Sequence, residues 1–443
     1  MDEALILARA QFGLNIGFHI LFPAISIGLA WMLLWFRLRY QMTRDEAWLR
    51  TYKLWLRVFA LTFAMGVVSG VTMSFQFGTN WPGYMNRVGN IAGPLLAYEV
   101  LTAFFLEATF LGVMLFGMER VSGRMHVASA AIVAFGTTVS AFWILALNSW
   151  MQTPAGHANS AAGLVAGSWW AVIFNPSFPY RLTHMLLASG ITASFLVTGL
   201  SAWRLLAAPR DAAAATTLRF GARVAALLVP LQIVAGDLHG LNTLAHQPAK
   251  IAALEAIWHT ERSAPLTLIG IPNEERRRTE YAIRLPKAGS LILAHDANAE
   301  IKGLDAFEDH PPVAPVFFAF RVMVGTGLLM LALAWGSQFW LKAPPRWLLW
   351  TFSGFTFAGW IATLAGWLVT EIGRQPWLVT GILRTADAVG PAGGAKLGAS
   401  LTAYVLTYSA LLLAYMVTLT HMARKSGPGP EYGGKSMPDG GLH

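Results

Sequence analysis

Apolar runs of bilayer-spanning length recur along this chain, separated by mostly short polar links. They fall at roughly 14–38, 55–77, 94–117, 127–150, 182–206, 219–243, 315–341, 347–371 and 398–422, each long enough to cross about 30 Å of hydrocarbon as a helix. The pattern predicts an all-α membrane protein with nine transmembrane helices. Residues 1–13 carry Asp2, Glu3 and Arg9, too charged to open a cleavable signal peptide, and predict a short interfacial helix ahead of the first span.

Basic residues set the expected sidedness. Arg37, Arg39, Arg44, Arg50, Lys53 and Arg57 crowd the first link; Arg87 stands alone in the second; Arg120 and Arg124 follow in the third, Arg181 alone in the fourth, and Arg204, Arg210 and Arg219 in the fifth. Lys342, Arg346, Arg424 and Lys425 continue the alternation. Cytoplasmic links gather positive charge, so the N-terminus is expected outside and the C-terminus inside. The layout is then residues 1–243 for the interfacial helix and helices one to six, 244–314 for an external segment, 315–425 for helices seven to nine, and 426–443 for a disordered cytoplasmic tail. The external segment, with Glu274, Glu275, Arg276, Arg277 and Arg278 in its middle, is the one region expected to fold in water.

Composition narrows the chemistry. With 55% hydrophobic and only 12% charged residues the chain is excluded from the soluble class. The absence of cysteine excludes disulfides, thiolate-bound clusters and covalently attached c-type haem, leaving His, Met and carboxylate as metal ligands. A net charge of +9 scattered among links follows topology and predicts no nucleic-acid partner.

The polar residues inside the apolar runs carry the functional argument. In Gly366-Trp-Leu-Val-Thr-Glu-Ile-Gly-Arg-Gln-Pro-Trp377, Gly373 and Pro376 stop the eighth helix and leave Glu371 and Arg374 on its last turn and exit. Charges at that depth mark a functional site by default, the plain alternative being that both snorkel to the headgroups. His19 in helix one, His184 at the start of helix five, Met323 in helix seven and Glu371 then share one leaflet, and all four are residue types that can bind haem iron. Singly, each has a simpler reading as a satisfied core histidine or a packing methionine. Glu99 and Glu107 lie about 12 Å apart along helix three and about 80° apart around it, so one helix face carries both acids, as a proton relay requires. Ser140, Asn148 and Asp237 are further candidates to line a polar path.

Four stretches together resemble subunit I of the cytochrome bd quinol oxidases: Ala8-Arg-Ala-Gln-Phe-Gly-Leu-Asn-Ile-Gly-Phe-His19, Gln247-Pro-Ala-Lys-Ile-Ala-Ala-Leu-Glu-Ala-Ile-Trp258, Phe320-Arg-Val-Met323 and Gly366 to Trp377. The resemblance runs from residue 1 to about 425. It implies an electrogenic quinol:oxygen oxidoreductase of the bacterial cytoplasmic (inner) membrane, which oxidises membrane quinol on the outer face, reduces oxygen to water and takes protons from the cytoplasm. It also implies a subunit II as partner and leaves room for a small accessory subunit.

By the same resemblance, His184 and Met323 match the axial pair of a low-spin haem b, with Arg321 beside its propionates or iron. His19 and Glu371 match the ligands of a high-spin haem b and haem d, without deciding which serves which; Arg374 and Trp367 match residues packed beside those haems, and Glu99 and Glu107 match nearby acids. Lys250 and Glu255 match the functional pair of a quinol-binding loop. That loop is short here and resembles the cyanide-insensitive branch, so a haem b in place of haem d stays open. Two other classes compete on residues alone. A proton-coupled transporter would use the intramembrane acids and helices broken at positions such as Pro230 and Gly236, and a simple multihaem b-type electron carrier would use the histidines.

Overall fold

The computed structural model describes residues 3–161 and 163–425, and among these it holds nine helical segments long and apolar enough to cross a membrane. The expected tail 426–443 lies outside the described residues. The first segment joins α1 (Glu3–Leu21) to α2 (Pro23–Thr43), the second is α3 (Glu46–Thr79), and the third joins α4 (Pro82–Glu99) through a π-helical turn (Val100–Phe104) to α5 (Phe105–Phe116). After α6 (Gly123–Gln152) come the hairpin β1 (His157–Ser160) and β2 (Gly163–Ala166), the short α7 (Trp169–Ile173), α8 (Phe178–Ala207) and α9 (Ala212–His246). The segment 244–314 contains α10 (Pro248–Glu255), β3 (Glu261–Arg262), β4 (Leu266–Asn273), β5 (Arg278–Leu285), α11 (Ala288–Ala294) and β6 (Glu300–Ile301). It is followed by α12 (Val313–Gly336), α13 (Arg346–Gly354), α14 (Ala358–Ile372), the pair β7 (Trp377–Val379) and β8 (Leu383–Arg384), α15 (Thr385–Ala388) and α16 (Gly394–Lys425).

Several expectations are corrected. Residues 3–13 are not set off as a separate helix: α1 runs unbroken from Glu3 to Leu21, and the break falls at Phe22 because Pro23, at the first turn of α2, has no N–H to donate backwards. Helix eight is two helices, interrupted at 355–357. Conversely, α9 passes through Pro230 and Gly236 without a break, which removes the broken-helix argument for a transporter there.

Close helix packing follows from small residues, since hydrocarbon offers no hydrophobic drive between helices. At Gly28, Gly199, Gly221 and Gly359 a methyl group would come within 2.2–2.6 Å of the neighbouring helix. These contacts draw α2, α8, α9, α13 and α14 together around one axis. Aromatic side chains fill the other side of the core, where Phe22, Phe36, Tyr52, Trp55, Phe59 and Tyr415 are fully buried.

The segment 244–314 is less exposed than its composition suggests. Ile251, Ala252, Leu254 and Trp258 build a core with Val313, Val316 and Phe317 of α12 and Val369 of α14, so α10 is seated against the bundle. Lys250 and Glu255 are both buried, against the expectation of a water-exposed loop.

Candidate functional site

The site grows from the end of α14. Gly373 closes that helix, and its missing side chain has a second use: a Cβ there would lie 2.9 Å from Cγ of Lys250. Hence the lysine stem can cross the helix end. Glu371 accepts from Arg374 Nη2 at 2.5 Å, from Asn148 Nδ2 at 3.1 Å and, at 3.5 Å, from Gln152 Nε2. Arg181 donates to Asn148 Oδ1 and lies over the ring of Trp367 at 6.0 Å. Lys250 Nζ donates to Gln152 Oε1 and to Gln247 Oε1, each at 2.7 Å. One hydrogen-bonded cluster thus joins α6, α8, α10 and α14, and it contains Glu371, Arg374, Trp367 and Lys250 of the predicted residues. Burial pushes the Lys250 ammonium well below its usual range; Arg181 adds to this and Glu371 opposes it.

Glu255, at the other end of α10, is placed elsewhere. It accepts from Arg321 Nη2 at 2.9 Å, and the same guanidinium also donates to the carbonyls of Leu254 and Thr267 while stacking on Phe317. The Arg321 guanidinium is thus bound to Glu255, two residues before Met323 on the same helix. Lys250 and Glu255 do not touch each other; they face opposite parts of the site. Burial raises the Glu255 carboxyl to about 7, against the lowering effect of Arg321.

Met323 lies two residues beyond Arg321, with its Sδ 3.0 Å from where a Cβ at Gly366 would stand. His184 packs against Gly236 of α9, its ring 5.5 Å from that of His239. His19, in the last turn of α1, makes a 3.0 Å contact from Nδ1 to Ser69 Oγ. Ser69 Oγ is within donating distance of Met65 O at 2.8 Å and Gly66 O at 3.1 Å; with its proton on either, it accepts from His19 Nδ1–H, the tautomer that leaves Nε2 a free lone pair.

The two acids of the third span both face α6. Glu99 accepts from Ser140 Oγ at 2.7 Å, and the Glu107 side chain lies against Gly136, where a Cβ would stand 2.9 Å from its Cγ. The π-helical turn between them, closed by Phe105 N–H to Val100 O, takes up one extra residue. Eight residues then rotate the chain as seven would, which brings the acids to within about 20° of one line instead of 80°. On α6, Gly136, Ser140, Asn148 and Gln152 fall on one row of four-residue steps, so a single helix presents contacts to Glu107, Glu99, Glu371 and Lys250 in turn.

Orphaned polar atoms test whether haem fits here. His184 Nδ1, Arg374 Nε and Nη1, Arg181 Nε and Glu107 Oε1 are buried without a protein partner. Unsatisfied guanidinium donors beside intramembrane His and Met suit a group that brings both iron and carboxylates. The residues present therefore fit haem, with His184, Met323, His19 and Glu371 as the side chains able to hold iron and Arg374 and Arg181 able to meet propionates.

Sequence reasoning missed Gln152 and read Arg181 only as a topological charge. Their spacing held the clue: Gln152 lies four residues beyond Asn148, and Arg181 three before His184, each on the face of a residue already singled out.

Comparison with known proteins agrees with this geometry. The family model described as cytochrome bd terminal oxidase subunit I matches residues 7–427. The chain is 33% identical over 405 residues to cytochrome bd ubiquinol oxidase subunit 1 of Bacillus subtilis (strain 168), covering 87% of this chain and 86% of that one. It is 30% identical over 498 residues to cytochrome bd-II ubiquinol oxidase subunit 1 of Escherichia coli (strain K12), covering 96% and 97%. The solved bd oxidase of Geobacillus thermodenitrificans superposes with a TM-score of 0.89 at 29% identity over 96% of this chain and 100% of that chain. A family match over nearly the whole length, with a matching fold, gives the identity: the chain belongs to the cytochrome bd terminal oxidase subunit I family, haem-bearing oxidoreductases of the bacterial inner membrane.

Proposed function

We propose that this chain is the catalytic subunit of a quinol:oxygen oxidoreductase in which α10 holds the donor end, the Glu371 cluster holds the oxygen end and α6 carries protons between the opposite face and that cluster. The observation that carries the reading is the seating of both ends of α10 in the site: Lys250 reaches Glu371 through Gln152, while Glu255 pairs with Arg321, two residues from Met323. The basic-residue pattern supports placing this end of the bundle outside and the C-terminus inside.

Haem, when bound, supplies one-electron transfer and oxygen binding. The side chains do the rest. Glu255, buried and raised to about 7, is poised to accept a proton from a quinol hydroxyl, and Arg321 holds the carboxylate as it ionises. Lys250, with two amide oxygens fixing its Nζ, is placed to meet a quinone oxygen. His184 and Met323 suit a low-spin haem b, and His19 and Glu371 the two high-spin sites, whose haem is d or b. Glu107 and Glu99 suit proton uptake from the cytoplasmic side, and the row on α6 leads from them towards Asn148 and Glu371. A subunit II is the expected partner, with room for a small accessory subunit.

An absorption spectrum of the purified complex tests the whole reading. A far-red chlorin band together with low-spin b absorption is expected, or two high-spin b signatures if haem d is replaced; a spectrum without haem would return the chain to the transporter class, and low-spin b alone to the electron carriers. Met323→Leu removes the thioether, so the low-spin spectrum should shift to high spin while the other two haems persist, as read by reduced-minus-oxidised difference spectra. An unchanged low-spin band would release Met323 from ligation. For the relay, Glu107→Gln keeps the shape against Gly136 but cannot ionise. Oxygen uptake and the accompanying charge movement in liposomes should fall at least about tenfold at unchanged haem content.

A further inference from the structure

The hairpin β4–β5 is built inside out. Its buried positions are Thr267, Gly270, Pro272 and Thr279, whereas Ile269, Ile271, Tyr281 and Ile283 point outward, 66%, 54%, 84% and 57% exposed. Ile269 and Ile283 are paired across the strands, and α11 adds exposed Leu291 and Ile292 beside them. A hairpin facing water puts its polar residues outward, and a contiguous apolar face of this kind requires a cover.

Its position says what the cover is. The strand β4 is tied to Arg321, eight residues or about 12 Å below the start of α12, through the Thr267 carbonyl. The end of α11 is tied to α9, where His295 meets Asp237 at 3.0 Å, nine residues or about 13.5 Å from the end of that helix. Both anchors lie on helices long and apolar enough to cross a membrane. The same helices carry exposed apolar residues of their own, Leu238 of α9 and Phe318 and Val322 of α12. The turn of the hairpin carries Glu274, Glu275, Arg276 and Arg277 and is held at the start of α12 by Glu274, which accepts from Val313 N at 2.7 Å. Arg284 and Lys287 are exposed at the opposite end, where their long apolar stems let the cationic heads reach up to lipid phosphates.

We propose that the β4–β5 hairpin and α11 form a membrane-seated element lying along α12, with the Ile269, Ile283, Tyr281 and Leu291 face bedded at the boundary of headgroups and acyl chains in the adjoining leaflet. The proposal does not depend on the donor role of Glu255. Where that role holds, a lipid-soluble reductant comes to the edge of α10 from the leaflet and not through water.

The cysteine-free sequence makes the test direct. Ile283→Cys, Ile269→Cys and, at the turn, Glu275→Cys would each be introduced into the assembled oxidase in phospholipid nanodiscs and labelled with an environment-sensitive fluorophore, with background measured on the unsubstituted complex. Labels at 283 and 269 should be quenched severalfold more by doxyl-labelled phospholipid than by aqueous iodide, and the label at 275 the reverse. Quenching by iodide at 283 and 269 as strong as at 275 would place the face in water and overturn the proposal. Quenching by neither agent would place a protein partner on it and overturn the proposal equally. Two sites on different strands guard against one substitution disturbing the hairpin.

Discussion

Replacing Glu371 by alanine should cost the enzyme one haem and at least about 100-fold in oxygen reduction, because it strips the anion from a cluster held together by cations. Arg374 is 7% exposed and already has two nitrogens without a protein partner, and Arg181 is buried beside it. Removing their shared carboxylate leaves buried positive charge uncompensated, a change that costs about 3–5 kcal/mol when one partner of a buried pair is lost. The variant should therefore also lower the thermal midpoint of the purified complex. Glu371→Gln separates the two effects. The amide keeps the shape but has one acceptor oxygen, so it can take the bond from Arg374 or the one from Asn148, which reach different oxygens of the carboxylate, and part of the stability should return while the haem stays lost or weakly held. If haem content and turnover in both variants matched the wild type, Glu371 would be a structural counter-ion and the oxygen end would lie elsewhere.

Glu255→Gln should cut quinol-driven oxygen uptake by about 10²–10⁴-fold, the usual span for a lost general base. All haems should remain, as should uptake from a small artificial electron donor. The amide retains the contact with Arg321, which in any case keeps its bonds to the Leu254 and Thr267 carbonyls, so the local structure has little reason to move. The pH profile supplies a second readout. A carboxylate accepts a proton only when ionised, and burial raises Glu255 to about 7, so wild-type quinol oxidation should fall as pH drops below that value. The glutamine variant should lose this limb and not merely shift it. Loss of artificial-donor activity together with haem would instead make Glu255 a structural residue.

The sequence was most legible where chemistry and helix ending coincide. Glu371, Gly373 and Arg374 carry their own stop, and the structure places them at the end of α14 as read. Apolar runs gave the spans, since length and hydropathy are local properties. What escaped depends on tertiary convergence. Gln152 ends a helix and looks ordinary until Lys250, Gln247 and Glu371 meet on it. Arg321 carries no mark in the sequence that it will turn to Glu255, 66 residues away. Lys250 and Glu255 sit in a segment whose charges read as solvated, yet the apolar residues between them, Ile251 and Leu254, were enough to seat α10 on the bundle. A shift of one residue in helical phase, as between Glu99 and Glu107, is below what hydrophobic periodicity reveals.

That shift has a consequence for how the chain tolerates changes in length. The π-helical turn at Val100–Phe104 holds one residue more than an α-helix needs to join the same two ends. A single deletion inside it would relax the turn to ordinary α-helix and leave Glu99 and Glu107 seven residues apart, two full turns, still facing Ser140 and Gly136. The same deletion placed in α5, beyond Glu107, would rotate everything after it by about 100° and lift it by 1.5 Å. The third span thus carries its own slack, and it lies between the two acids whose alignment matters.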